Sequence, residues 1–264
     1  MDEFNGYFRI ATCITTGPWL NQEQQNSLYV LNDNLTVVGK IENLGVNERI
    51  YAARFVEDKC YLVTYKPTDP FYVIDLNNTG DPRVVGQLKI PGYSSYLHPY
   101  GDNHIIGIGK ENSSVKLSLI DVSNMNNPVE VSKITIGNWS DSPALYDSKA
   151  FLFNSKTGLL VIPISINNNG YVEPAKDDII TQMASTWQGV YVFNVTFNGG
   201  FIYQGSVTQI DSNTTNLQDY YSLLTNQTIQ RAVYIDQTLY TVSNSMVQLN
   251  NLGNFTLVTK VNLP

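Results

Sequence analysis

The chain contains only two imidazoles, His98 and His104. A zinc centre draws three or four His, Cys or carboxylate ligands together, so no metal site is expected. His98 stands in an aromatic box of Tyr93, Tyr96, Pro99 and Tyr100. Such a cluster can grip a sugar or a peptide, or it can simply fix a strand turn by hydrogen bonds; both readings stay open. His104 follows Gly101-Asp102-Asn103 and is expected at the surface. Glu48, Arg49 and Arg54 flank a short strand pattern, where they can meet a ligand or lock neighbouring elements as ion pairs. The candidate ligand-binding set is therefore Glu48, Arg49, Arg54, Tyr96, His98 and Tyr100. Asp69 before Pro70, and the strand-end residues Asp75 and Asp121, read as turn caps. No Gly-x-Ser-x-Gly, Walker loop, His-Glu-x-x-His or Gly-x-Gly-x-x-Gly occurs, so neither a catalytic nucleophile nor a cofactor is expected. Glu173, Asp177, Asp178, Asp211 and Asp219 lack the spacing of a calcium loop and read as solvated loop charges.

The elements that must carry these residues repeat. Cys60–Gly92 and Asn103–Asn138 are two copies of one unit, strand–strand–Asx-Pro turn–strand, with Asp81-Pro82 and Asn127-Pro128 at the turns. Strand-only units of this size predict a toroid of small sheets. The fold class expected is all-β, a β-propeller of four-stranded antiparallel blades, with about five blades' worth in residues 1–264. Outer strands are expected at 35–41, 84–90, 129–136, 201–207 and 255–261. Inner strands are expected at 49–55, 95–100, 143–147 and 230–235. The first blade is expected to lack its inner strand and to begin at Tyr7–Thr15. The ring is therefore expected to close with material outside this chain, or not in the usual way.

Insertions at 165–188 and 211–228 lengthen two repeats, and long rim loops are where propellers recognise partners. Tyr171, Trp187, Tyr220 and Tyr221 are the candidate partner-binding aromatics there. A short helix is expected over 175–187.

The net charge of −7 argues against a nucleic-acid partner. No run of 18 apolar residues exists, so no membrane span is expected in this chain. Charged residues make up only 15%, with uncharged polar residues in their place. Asn-X-Ser/Thr sequons begin at Asn34, Asn77, Asn112, Asn138, Asn194, Asn213, Asn226 and Asn254; several fall in predicted turns, where a glycan disturbs no core. These features favour an extracellular or cell-surface glycoprotein. Cys13 and Cys60 align at different levels of their strands, so two buried free thiols are expected rather than a disulfide.

The segments 47–55, Tyr61–Tyr65 with Asp69-Pro70, Phe71–Leu76, Leu88–Ser94 with Tyr96–Tyr100, and Lys149–Phe153 resemble the archaeal and bacterial family of secreted proteins with a C-terminal β-propeller distantly related to WD40 repeats. The resemblance implies an extracytoplasmic propeller, of which this chain is the C-terminal half. It also implies histidines where this chain has Ser148 and Gln209, which lowers an enzyme reading. The function expected is a secreted or cell-surface, non-enzymatic scaffold that binds protein or glycan of the cell envelope. The alternative is an extracellular hydrolase or lyase with its site in the central channel.

Overall fold

The structure, a computed structural model, describes residues 1–18, 23–65, 69–137, 139–167, 186–210 and 226–264. Its contacts divide the chain into two units, Met1–Asn112 with Lys116–Lys133, and Ser113–Val115 with Ile134–Pro264. Alternation of Val, Ile, Leu and Tyr with polar residues builds antiparallel strands, and the described residues form five sheets.

The first unit carries three sheets of four strands, except for residues 114–115 and 134–136 in the third. These are β1 (Asp2–Phe4), β2 (Tyr7–Thr16), β3 (Glu23–Leu31) and β4 (Val37–Ile41); β5 (Arg49–Val56), β6 (Lys59–Tyr65), β7 (Asp69–Asp75) and β8 (Arg83–Ile90); and β9 (Tyr93–Tyr100), β10 (His104–Glu111), β11 (Ser114–Asp121) and β12 (Val129–Ile136). The second unit carries the remaining two. One holds β13 (Ser140–Asp141), β15 (Leu159–Asn167), β16 (Thr186–Thr196) and β17 (Gly200–Val207), with β14 (Leu152–Asn154) also paired to β15. The other holds β18 (Arg231–Ile235), β19 (Thr238–Val242), β20 (Met246–Asn251) and β21 (Leu257–Asn262). Four of the sheets are consecutive meanders and the fourth blade departs only where β13 and β14 both pair with β15; each is the blade of a β-propeller.

Two expectations about inner strands are corrected. The first blade does have one: β1 pairs with β2 through Asp2↔Arg9 and Phe4↔Tyr7. Asn5 and Gly6 turn the chain between them with φ of 52° and 79°, the left-handed geometry a two-residue hairpin requires. Arg9, only 2% exposed, clamps this strand. Its Nε and Nη2 donate to the two carboxylate oxygens of Asp2 at 2.8 and 2.5 Å, and its guanidinium lies over the Phe4 and Phe55 rings. In the fourth blade, residues 143–147 form no strand. Ser142 caps a 3-10 turn at Pro143–Leu145, and Asp147 caps a second at Ser148–Ala150. Pro143 has no amide to offer a ladder, so the inner position falls to the two-residue β13.

Blade-to-blade spacing rests on a repeated device. The outer strands β4 and β8 each carry a register shift, beside Val30/Leu31 and Val73/Ile74 respectively. Each then has a glycine, Gly39 or Gly86, paired just beyond it. A Cβ on Gly39 would lie 2.1 Å from the Thr79 carbonyl oxygen, and one on Gly86 would lie 1.9 Å from that of Met125. The predicted Asx turns are what press there. The Asp81 amide donates to Asn78 O, and the Asn127 amide to Asn124 O, each at 3.0 Å. Asp75 and Asp121 accept from the Asn77 and Ser123 amides at 2.9 and 2.8 Å, the capping role expected of them. Asp69-Pro70 differs: both residues belong to β7. The β6 ladder begins only at Phe71, so the missing proline N–H is not needed there.

Apolar side chains from facing sheets fill the spaces between blades. Leu28 and Val30 meet Cys60, Leu62 and Ile74, while Val63, Phe71 and Val73 meet Leu97, Ile105 and Ile120. Val161, Val190 and Val192 meet Ala232 and Leu239 in the second unit. Both cysteines are free; Cys60 is buried as expected, but Cys13 is exposed, because its end of β2 lies outside that packing.

Candidate functional site

Of the six candidate residues, the structure draws three together on the adjoining inner strands β5 and β9. Tyr96 and His98 are two residues apart on β9, so they share a face, and Tyr96 Oη lies 3.0 Å from His98 Nδ1. Arg54 on β5 supplies the charge that acts on both. Burial and the Arg54 guanidinium push the imidazole down to about 4, so His98 is neutral at physiological pH. Burial raises the Tyr96 hydroxyl, and Arg54 partly offsets the rise. The Nε of Arg54 is buried and meets no hydrogen-bond acceptor. Of the two readings open for this arginine, the ion-pair lock is not formed: no carboxylate among the described residues pairs with it.

Repeat geometry explains the meeting. β5 is bulged against β6 at Tyr51, and β9 is bulged against β10 at Ser95. Counting from the bulges, Arg54 and His98 occupy the same blade position, and they pair with Tyr61 and Ile106 respectively.

The other three candidates go elsewhere. Glu48 takes a hydrogen bond from the Thr64 hydroxyl, and its carbonyl accepts from Asn26 Nδ2 at 2.6 Å. Arg49 is exposed at the start of β5. Tyr100 is 7% exposed at the end of β9, and burial raises its hydroxyl.

A feature the sequence reading did not single out lies beside these strands. Tyr51, Tyr65 and Tyr93 form a three-ring cluster, with centroids 5.5, 4.4 and 5.1 Å apart and planes inclined by 76°, 50° and 54°. The bulge places Tyr51 here, 37% exposed. Tyr65 ends β6, and Tyr93 opens β9 after Gly92, whose φ of +79° turns the chain. Bulge positions and inter-blade neighbours are not written in a strand's alternation, which is why the trio escaped a one-dimensional reading.

Lys116 was missed for the same reason. Fully buried on β11, it donates to the Pro91 carbonyl at 2.6 Å and lies 3.7 Å from Glu130. In the second unit, the 3-10 turns of the fourth blade leave a hollow of about 420 Å3 lined by Asp141, Tyr146, Asp147, Ser165 and Gln230. Arg231 bridges to Asp147 at its edge, at 2.8 Å.

Trp187 lies at the start of β16 and packs on Tyr191 at 4.9 Å. Tyr171, Tyr220 and Tyr221 lie outside the described residues, as do Asn138, Asn213, the acidic residues of both insertions and nearly all of the helix expected at 175–187. Asn34, Asn77, Asn112, Asn226 and Asn254 are exposed, and Asn194 is half-buried in β16. Gln209 is 7% exposed and donates to the Thr241 carbonyl at 2.8 Å. No helix among the described residues is long and apolar enough to cross a membrane.

Successive small antiparallel sheets, with repeated Asx turns inside them, define a β-propeller. The model of the beta propeller domain family matches residues 1–255, and the chain belongs to that family. It is 44% identical over 212 residues to an uncharacterized protein of the archaeon Methanocaldococcus jannaschii, covering 80% of this chain and 33% of that protein. It is also 44% identical over 180 residues to an uncharacterized protein of Archaeoglobus fulgidus, covering 68% of this chain and 27% of that protein. The chain thus spans a third or less of the length of these relatives. Among solved structures it is similar to the β-propeller domain of Myceliophteria thermophila Cps50 (Swd1), at a TM-score of 0.47 and 7% identity over 92% of this chain and 70% of that one. It is similar too to the Neurospora crassa Pan2 WD40 domain, at 0.46 and 12% over 88% and 59%. In general terms, the propeller fold is a scaffold suited to protein interaction.

Proposed function

We propose that this chain is a non-enzymatic scaffold at the outside of the cell, and that it binds a protein of the cell envelope through the inner strands of its second and third blades. One observation carries the reading: Tyr51, Tyr65 and Tyr93 form a partly exposed aromatic cluster on the same two blades as the half-buried Arg54. Tyrosine and arginine dominate the energetic centres of protein interfaces, because they bring large contact area and directed donors at low entropic cost. The inclined rings offer no flat shared face for a sugar, which favours protein over glycan. Low charge density and five exposed sequons support an extracellular setting.

The test passes envelope proteins of the source cell over the immobilised chain and over two variants. Saturable binding should fall at least about tenfold in Tyr51→Ala/Tyr93→Ala. It should persist in Tyr146→Ala, which removes a tyrosine that is 78% exposed on the other unit. Equal loss in both variants, or no saturable binding by the parent chain, refutes the reading.

A further inference from the structure

We infer that Arg54, with Tyr96 beside it, is a receptor for a single carboxylate: an Asp or Glu side chain presented by the partner protein. The inference rests on the scaffold reading and names the chemistry of its partner.

Three observations lead there. First, Arg54 is half-buried and its Nε–H has no acceptor. A buried donor left unmet costs about 1–3 kcal/mol, and a carboxylate docked on the same guanidinium would offset part of that cost through its charge. Because Nε is itself buried, an incoming carboxylate meets the two terminal nitrogens, whose planar fork matches its two oxygens.

Second, the surroundings are short of competing charge. His98 beside it is uncharged at neutral pH. One cation beside an uncharged imidazole and a phenol matches one monoanion. A phosphate dianion or a polyanionic strand would require more cations, and the net charge of −7 repels it at long range.

Third, the tyrosine trio stands nearby. Tyr51 and Arg54 are three residues apart on β5, and Tyr93 and Tyr96 three apart on β9; that is about 10 Å along each strand. An acidic side chain flanked by apolar residues would reach the guanidinium while its neighbours cover the rings.

The experiment follows the Arg Nε–H resonances of the 15N-labelled chain by NMR, with the Arg54 signal assigned through Arg54→Lys. The probes are hexaglutamate, hexaglutamine, sodium glucuronate and sodium sulfate. The expected result is a saturable shift of the Arg54 signal with hexaglutamate and none with hexaglutamine. Tyr96→Phe, which keeps the guanidinium, should weaken that binding by about three- to tenfold. If Arg54→Lys fails to fold, Tyr96→Phe together with the selectivity among probes still decides the matter.

No shift with hexaglutamate overturns the inference. Glucuronate shifting the signal where hexaglutamate does not would mean an acidic glycan. An equal response to sulfate would mean unselective anion binding. Each of these results sinks the peptide carboxylate. A silent Arg54 alongside tyrosine-dependent envelope binding would sink this inference and leave the scaffold reading standing. A responsive Arg54 without envelope binding would do the reverse.

Discussion

His98 shows how a single residue acquires its character from its neighbours. In an unfolded chain its imidazole titrates near 6.5; in the fold, burial and Arg54 bring it to about 4. Between these values the unfolded chain binds more protons than the native one, so stability rises with pH across the window. The contribution is complete above about 6.5, is lost as pH falls toward 4, and changes no further below that. Because the ring is partly solvated, screening reduces the effect to about 1–2 kcal/mol. Urea unfolding at pH 7.5, 6 and 4.5 should show this: the stability lost by the parent chain on acidification should exceed that of His98→Gln by this amount. Parallel losses would mean that His98 is not held neutral. That His98 mattered was legible from its aromatic neighbours in sequence. Its state was not, since Arg54 lies 44 positions away on another blade.

Among elements, the bulged outer strand is the unit of blade packing. Gly86 is there because its Cβ would collide with the Met125 carbonyl, a backbone atom that cannot step aside. Gly86→Ala should destabilise the chain by about 2–3 kcal/mol through overpacking. Gly80→Ala, where a Cβ would come no nearer than 3.6 Å to Asn78 Oδ1, should change stability by less than about 0.5 kcal/mol. Thermal or urea melts of both variants decide it, and similar losses would remove the packing account. The outer strand at 129–136 and the Asx-Pro turns were readable because turn chemistry and alternation are local. The β1–β2 hairpin also had a local signal, Asn5-Gly6 between strand-like runs. Residues 143–147 misled because strand-like composition there gives way to capping by Ser142 and Asp147. That choice became favourable once their amides had partners and Ala144 and Leu145 had a core to enter.

For the molecule as a whole, the proposed extracellular setting leads to a direct prediction. The chain isolated from its native cells should carry hexose-sized mass increments that chemical deglycosylation removes. Site mapping should find them at some of Asn34, Asn77, Asn112, Asn226 and Asn254, which are exposed. Half-buried Asn194, paired on both sides within β16, should be bare. A chain without sugar would withdraw the main support for the extracellular reading.

What the sequence by itself determined was the repeating blade: strand alternation, Asx turns and their spacing are set by backbone sterics and hydrogen bonds between near neighbours. Only the tertiary structure decided that the charge of Arg54 acts on Tyr96 and His98, that Tyr51 is turned toward Tyr65 and Tyr93, and that Lys116 is buried against Pro91. Those meetings depend on bulges and on packing between different blades. Their energies are set by groups far apart in the chain, so no window of sequence contains them.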